Sequence, residues 1–126
     1  MTVKEVFQNN DIILSNVSLR FIPRSTDRSF LTYTLENKDQ FAIVLYFSMD
    51  RDKINSAENW TKKLVKNAIS LGGRHYLPYQ LWPTRNQVKT AYPMFNQFIQ
   101  KKKHYDPDEL FSNKFYERYK NNKVLT

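Results

Sequence analysis

Two tyrosines, Tyr76 and Tyr79, stand just after the chain's only two glycines in the stretch Leu71-Gly72-Gly73-Arg74-His75-Tyr76-Leu77-Pro78-Tyr79-Gln80. A phenol hydroxyl can donate a hydrogen bond, so two of them after a fixed turn can be presented to a ligand. Glycine takes positive φ without a Cβ penalty, and the pair Gly72-Gly73 suits a sharp helix stop. The short run that follows is β-compatible until Pro78 ends it or sets it at a sheet edge. The same layout can deliver side chains or close a sheet, and these residues alone leave both open.

Other chemistries are absent from the chain. It has no cysteine, which excludes disulfides, thiolate catalysis and thiolate metal sites. His75 and His104 have no histidine or carboxylate neighbour at ligand spacing, so no metal site is expected. No nucleophile–base pair stands out among the scattered serines and threonines. Two glycines cannot build a phosphate loop or a dinucleotide fingerprint, and Gly72-Gly73 follows a helix where a phosphate site would open one. Any nucleotide cofactor must therefore be held mostly by another domain or chain.

The elements that position the tyrosines follow from hydrophobic period. Residues 3–10 suggest a short helix with Val3, Val6 and Phe7 on one side. Over residues 12–23 Val17, Leu19 and Phe21 alternate with Ser18 and Arg20, the pattern of a strand with one core face. Residues 30–35 alternate similarly and predict a second strand, closed by a turn at 36–39 onto the next run. That run, Phe41 to Phe47, is apolar throughout and predicts a central strand buried on both faces. Ser56 reads as the N-cap of the longest helix, with Trp60, Leu64, Ala68 and Leu71 as its buried stripe, Val65 and Ile69 beside it, and Lys62, Lys63 and Lys66 in water. Thr84 and Gln87 fit a capping box for a helix burying Val88 and Ala91. Pro93 restarts a helix with Phe95, Phe98 and Ile99 inward and Lys101 to Lys103 in its last turn. Asp106-Pro107-Asp108-Glu109 fits a second capping box. The aromatic segment 115–119 is expected to pack down, and residues 120–126 to fray. Strands early and helices late argue for one α+β domain over residues 1–126, a ferredoxin-like antiparallel sheet with flanking helices.

At 126 residues the chain can bury a real core; 40% of it is hydrophobic, while a mean hydropathy of −0.68 marks a polar surface. No apolar run reaches the roughly 18 residues of a membrane span, and the N-terminus lacks a signal-peptide core, so a cytoplasmic location is expected. A net charge of +8 draws anions. Eight tyrosines and nine phenylalanines on a cationic chain invite a nucleic-acid reading. Against it, Phe41 to Phe47 lacks the leading basic residue and glycine of the RNA-recognition strand, and that reading is the weakest.

Taken in order, Gly72 to Tyr79, the Thr84 helix running into Ala91-Tyr92-Pro93, and Lys103-His104-Tyr105-Asp106-Pro107 with Leu110-Phe111-Ser112-Asn113 resemble the C-terminal region of FAD-linked oxidases of the vanillyl-alcohol oxidase type. The sugar-lactone oxidases and decaprenylphosphoryl-ribose oxidase are the nearer relatives. Asn16-Val17-Ser18-Leu19-Arg20 and Phe41 to Phe47 resemble the sheet of that region. The resemblance implies a substrate or cap domain covering the flavin ring, with hydride passing from a CH–OH carbon of a sugar, lactone or similar alcohol to the flavin. It places Tyr76 at the substrate pocket. Tyr79 falls where the family often carries a flavin-contacting lysine; tyrosine there brings no positive charge. Tyr76, Tyr79, Arg74 and Arg20 are the expected substrate- or flavin-facing residues, Arg20 having a surface arginine as its plain alternative. The family's FAD-binding domain is not in this sequence, so FAD is expected on a partner domain or polypeptide and no activity from the chain alone. The competing expectation is an inert remnant or binding module with a basic surface.

Overall fold

The computed structural model describes residues 3–8 and 12–121. Helix α1 (Val3–Gln8) leads into strand β1 (Leu14–Ile22) and strand β2 (Gln40–Phe47). A 3-10 turn (Arg51–Lys53) then feeds α2 (Ile54–Ser70), and α3 (Arg85–Ala91), α4 (Phe95–Tyr105) and α5 (Lys114–Tyr119) follow. The architecture is α+β, an antiparallel sheet with flanking helices, consistent with the ferredoxin-like class expected from the sequence.

The sheet departs from expectation in two ways. β1 pairs antiparallel with β2 itself, with Phe21 opposite Phe41 and Leu19 opposite Ile43, and the predicted strand at 30–35 does not form. Its backbone is used elsewhere: the Arg74 guanidinium donates to the carbonyls of Thr32 and Thr34 at 2.6 and 2.9 Å, taking acceptors that a ladder would need. Nor is β2 buried on both faces. Val17, Leu19, Phe21, Phe41 and Ile43 share one face, and each is between 50% and 65% exposed. The period of 2 is correct, but no helix of the described residues covers the face it produces. β2 enters the core at its end, where Phe47 packs edge-on against Trp60 at 4.8 Å between ring centroids.

Two hydrophobic clusters hold the helices. One joins Val6 of α1 to Ala57 and Trp60 of α2, with Ile12, Phe47, Leu64 and Trp82 around it. The expected inward side of α1 is thus real at Val6. The other gathers Val88, Ala91, Tyr92, Phe95, Ile99, Tyr116 and Tyr119 from α3, α4 and α5. Polar contacts align these elements. Arg85 Nε donates to the Tyr119 carbonyl at 2.8 Å, and the Tyr119 hydroxyl donates to the Pro83 carbonyl at 2.7 Å. Gln87 Nε2 donates to the Lys62 carbonyl at 2.8 Å, tying α3 to α2.

Helix ends are where the sequence is most informative. Thr84 Oγ1 accepts from the Gln87 amide at 3.2 Å and Gln87 Oε1 accepts from the Thr84 amide at 2.9 Å, the reciprocal box predicted. Thr84→Ala is expected to cost about 1 kcal/mol, read as a fall in the urea midpoint at unchanged slope. Ser56 is not the cap of α2. The preceding 3-10 turn carries the chain straight into the helix at Ile54, and Ser56 lies in its first turn. Leu71 leaves the stripe and is exposed, because the helix ends at Ser70.

The second capping box is also not a helix start. Asp106 accepts from the amides of Leu110 and Phe111 at 2.9 and 3.0 Å and pairs with Lys102, while Glu109 sits at φ 53°, outside helical space. The carboxylates fold a loop. Glu109 then takes the Tyr116 hydroxyl and the Lys120 ammonium, 2.7 Å away, and Asn113 caps α5 by accepting from the Tyr116 amide at 2.9 Å. The aromatic segment packs down as expected, with Tyr116 and Tyr119 buried. Fraying was expected over 120–126, but Lys120 is held, its amide donating to the Tyr116 carbonyl at 2.8 Å and its ammonium pairing with Glu109 and Glu117, and residues 122–126 lie outside the described residues.

Candidate functional site

The end of α2 fixes the site. Gly72 has φ 75° and donates to the Ile69 carbonyl at 2.9 Å, and Gly73 donates to the Ala68 carbonyl at 2.8 Å. These two bonds satisfy carbonyls that a helix end leaves free. A side chain on Gly73 would bring its Cβ within 3.1 Å of the Ala68 oxygen, so this position also needs close backbone approach. The segment after the glycines is extended and turned rather than a strand.

Arg74, His75 and Tyr92 hold that segment. Arg74 is spent inward: besides the Thr32 and Thr34 carbonyls, it lies over the Tyr92 ring at 5.7 Å. The Tyr92 hydroxyl donates to the His75 carbonyl. Burial pushes that hydroxyl up to about 12, so it stays a donor at any physiological pH. The His75 ring stands edge-on to Tyr92 at 5.7 Å, and its Nδ1 is buried without a hydrogen-bond partner among the described residues. Burial lowers its pKa to about 4.

With the backbone fixed, Tyr76 and Tyr79 stand outward, exposed, in edge-on contact at 5.0 Å, and Tyr33 continues the row at 5.4 Å from Tyr76. The row forms one wall of an open groove of about 930 Å³. Trp82 and Gln80 continue that side; Asn113, Lys114 and Arg118 come from α5 and the turn before it. Among the described residues, no aspartate or glutamate lines the groove. Arg20 is not at this groove; it stands on β1 opposite Ala42. Exposed rings flanked by amide and cationic donors can stack on sugar C–H faces and hydrogen-bond hydroxyls. They supply no nucleophile, and no metal-binding group of His, Cys, Asp and Glu occurs among the described residues.

The family model of D-arabinono-1,4-lactone oxidase matches residues 8–119. The chain belongs to that family. No curated protein and no solved structure matches it. The lactone-oxidase match spans both the sheet and the groove, so the Tyr76–Tyr79 row and the α5 cations fall within the matched residues. None of the described helices is long and apolar enough to cross a membrane.

Of the residues that line the groove, the sequence singles out Tyr76 and Tyr79 but not Tyr33, Trp82, Lys114 or Arg118. The alternation over 30–35 puts Tyr33 in a strand that does not form. The spacing of Lys114 and Arg118, four apart and off the buried Tyr116/Tyr119 stripe, was the available signal for the two cations.

Proposed function

We propose that this chain provides the sugar-recognising surface of a lactone-oxidase-type oxidoreductase acting on a CH–OH group, with FAD held by a separate domain or polypeptide. The observation that carries the reading is the row of Tyr33, Tyr76 and Tyr79 along a groove that no acidic group among the described residues lines, in a chain of this family. Flat aromatic walls with amide donors suit a sugar or lactone ring.

The described residues do not fit FAD as a bound dinucleotide. A pyrophosphate is commonly held by free backbone amides at a helix N-terminus or in a glycine-rich loop. The amides of Gly72 and Gly73 are both taken by α2 carbonyls, at the helix end where partial negative charge repels phosphate. This chain's part is accordingly to bind and orient the substrate and to exclude water from one side of it. Tyr76 and Tyr79 are the contact residues. Arg74 acts one step back, holding residues 32–34, and so Tyr33, against the Tyr76 side of the groove.

Gel filtration of the purified chain with FAD alone is expected to give no co-eluting flavin absorbance. Reconstitution with the FAD-binding domain of a D-arabinono-1,4-lactone oxidase is expected to yield lactone-dependent flavin bleaching. In that assembly Tyr76→Ala and Tyr79→Ala each raise the lactone concentration for half-maximal rate by roughly three- to ten-fold, the worth of one aromatic contact. Bleaching indifferent to both substitutions removes the tyrosines from the site. Tight FAD binding by the chain alone would overturn the division of labour.

A further inference from the structure

We infer that the open apolar face of the β1–β2 ribbon is a self-association surface, on which a second copy of this chain packs face to face about a two-fold axis.

Val17 stands opposite Leu45, Leu19 opposite Ile43 and Phe21 opposite Phe41, so these six side chains share one face, and all six are apolar. Asn16, Ser18, Arg20 and Gln40 belong to the other face. Along β2 the row Phe41, Ile43, Leu45 and Phe47 passes from open to covered. Phe47 meets Trp60 at 4.8 Å between ring centroids, which seats the ribbon on α2 and leaves the rest of the row outward. At the far end Phe21 and Phe41 stand edge-on at 5.6 Å.

Size, shape and charge together fit a second copy. The exposure of Val17, Leu19, Phe21, Phe41 and Ile43 leaves on the order of 500 Å² of apolar surface in water. Two copies would then bury about 1,000 Å² in all, the lower limit for a specific interface, which suits a dimer that forms in the micromolar range. The two ends of the face differ in bulk, with two phenylalanines at one and Val17 and Leu45 at the other. A two-fold axis crossing the strands at the Leu19–Ile43 pair lays each copy's phenylalanines over its partner's valine and leucine, large against small, as stacked sheets interdigitate. Leu19 and Ile43 then meet their own counterparts. Pairing through the free strand edges would leave this face wet. Each copy carries a net charge of +8, so two copies approach most easily where the surface is uncharged, as it is here. The groove and this face share no residue, so the inference stands apart from the sugar-binding reading.

The test is sedimentation equilibrium of the full chain. The mass should rise from 15.2 kDa toward twice that value between about 1 and 100 µM, and added salt should tighten the association by screening the repulsion between copies. Leu19→Lys and Ile43→Lys each set two like charges against one another at the axis and should raise the dissociation constant at least about 30-fold. Both positions are exposed in the single chain, so at low concentration both variants should keep the wild-type circular dichroism and urea midpoint. Tyr46→Lys adds the same charge on the opposite face and should leave the dimer intact. Because the chain has no cysteine, Leu19→Cys should be joined to its own copy by a short bismaleimide, and Phe21→Cys only when mixed with Val17→Cys. A mass of 15.2 kDa at every concentration overturns the inference, as does association that salt weakens or that both lysine variants leave unchanged. Linking of Phe21→Cys alone, without linking of Leu19→Cys, overturns the two-fold arrangement. A monomer that pellets with phosphatidylserine vesicles, or that binds the FAD-binding domain of a D-arabinono-1,4-lactone oxidase, and loses that binding in Leu19→Lys, gives the face to another occupant and overturns it too.

Discussion

Phe95→Ala should lower the free energy of unfolding by about 3–5 kcal/mol, a large share of the roughly 5–15 kcal/mol that a domain of this size commands. Phe95 is 1% exposed at the start of α4, where it touches all three helices of the second cluster. Phe115 meets its edge at 6.2 Å, and the Arg85 guanidinium covers its face at 5.7 Å. Alanine would leave a cavity walled by side chains that cannot collapse together, because Tyr119 and Arg85 are each fixed by hydrogen bonds to backbone carbonyls. The measurement is the urea midpoint, at an unchanged slope. Phe111→Ala is the contrast. That ring is 78% exposed, and its removal should change stability by less than about 0.5 kcal/mol. Similar losses from the two substitutions would mean that the second cluster is not the core.

Stability should also fall as pH drops from 6.5 toward about 4, through one residue. In the folded chain burial holds His75 at about 4, while in the unfolded chain it titrates at the usual 6.5. Between those values the unfolded state binds a proton that the folded state refuses. More protons bound on unfolding means that stability rises with pH in this window and is lost as pH falls through it. The loss is on the order of 2 kcal/mol once partial solvent screening is allowed for. His75→Phe keeps an aromatic ring beside Tyr92 and removes the titration, so its stability should be nearly flat over the same window. Carboxylates act lower. Asp106 is held below its usual range by Lys102, Glu109 by Lys120, and Glu117 by Ser112 and then Lys120. Their contribution is present above the ordinary carboxylate values and disappears as pH falls through their own depressed ones. A wild-type profile flat from 6.5 to 4 would show that His75 is protonated without cost.

The parts of this fold legible in sequence are those settled within a few residues. Thr84 with Gln87 is a closed local exchange of two hydrogen bonds, and Gly72 answers a backbone angle that few other residues accept. The parts that were not legible depend on distant partners. The alternation at 30–35 is a sound strand signal, but Arg74, some forty positions on, claims the carbonyls first. Asp106 and Glu109 carry a helix-start signature whose acceptors are equally well placed for a tight loop, and the nearby Lys102 and Lys120 decide between them. Apolar residues from Phe41 to Phe47 predict burial on both faces, yet burial requires a covering element, and no local pattern says whether one is present. At the site, one wall was readable because it follows a marked turn. The other comes from α5, brought there by the packing of Tyr116 and Tyr119 rather than by anything adjacent to Tyr76.

The β1–β2 ribbon carries a consequence for how the chain opens. Its ladder bonds only to itself; it packs on the helical body through Phe47 on Trp60 at one end, and at the other the Gln40 side chain ties it to the backbone of residues 33 and 35. A two-stranded ribbon is marginal by itself, and unzipping it from the Phe21–Phe41 end exposes little surface that is not already wet. The free energy of that excursion is therefore set by a few cross-strand pairs and is independent of the Phe95 cluster. Amide protons in β1 and β2 should exchange with solvent through this fraying, orders of magnitude faster than those of α3 and α4, which wait for global unfolding. The monomeric chain is then expected to behave in solution as a helical body with a breathing β ribbon attached.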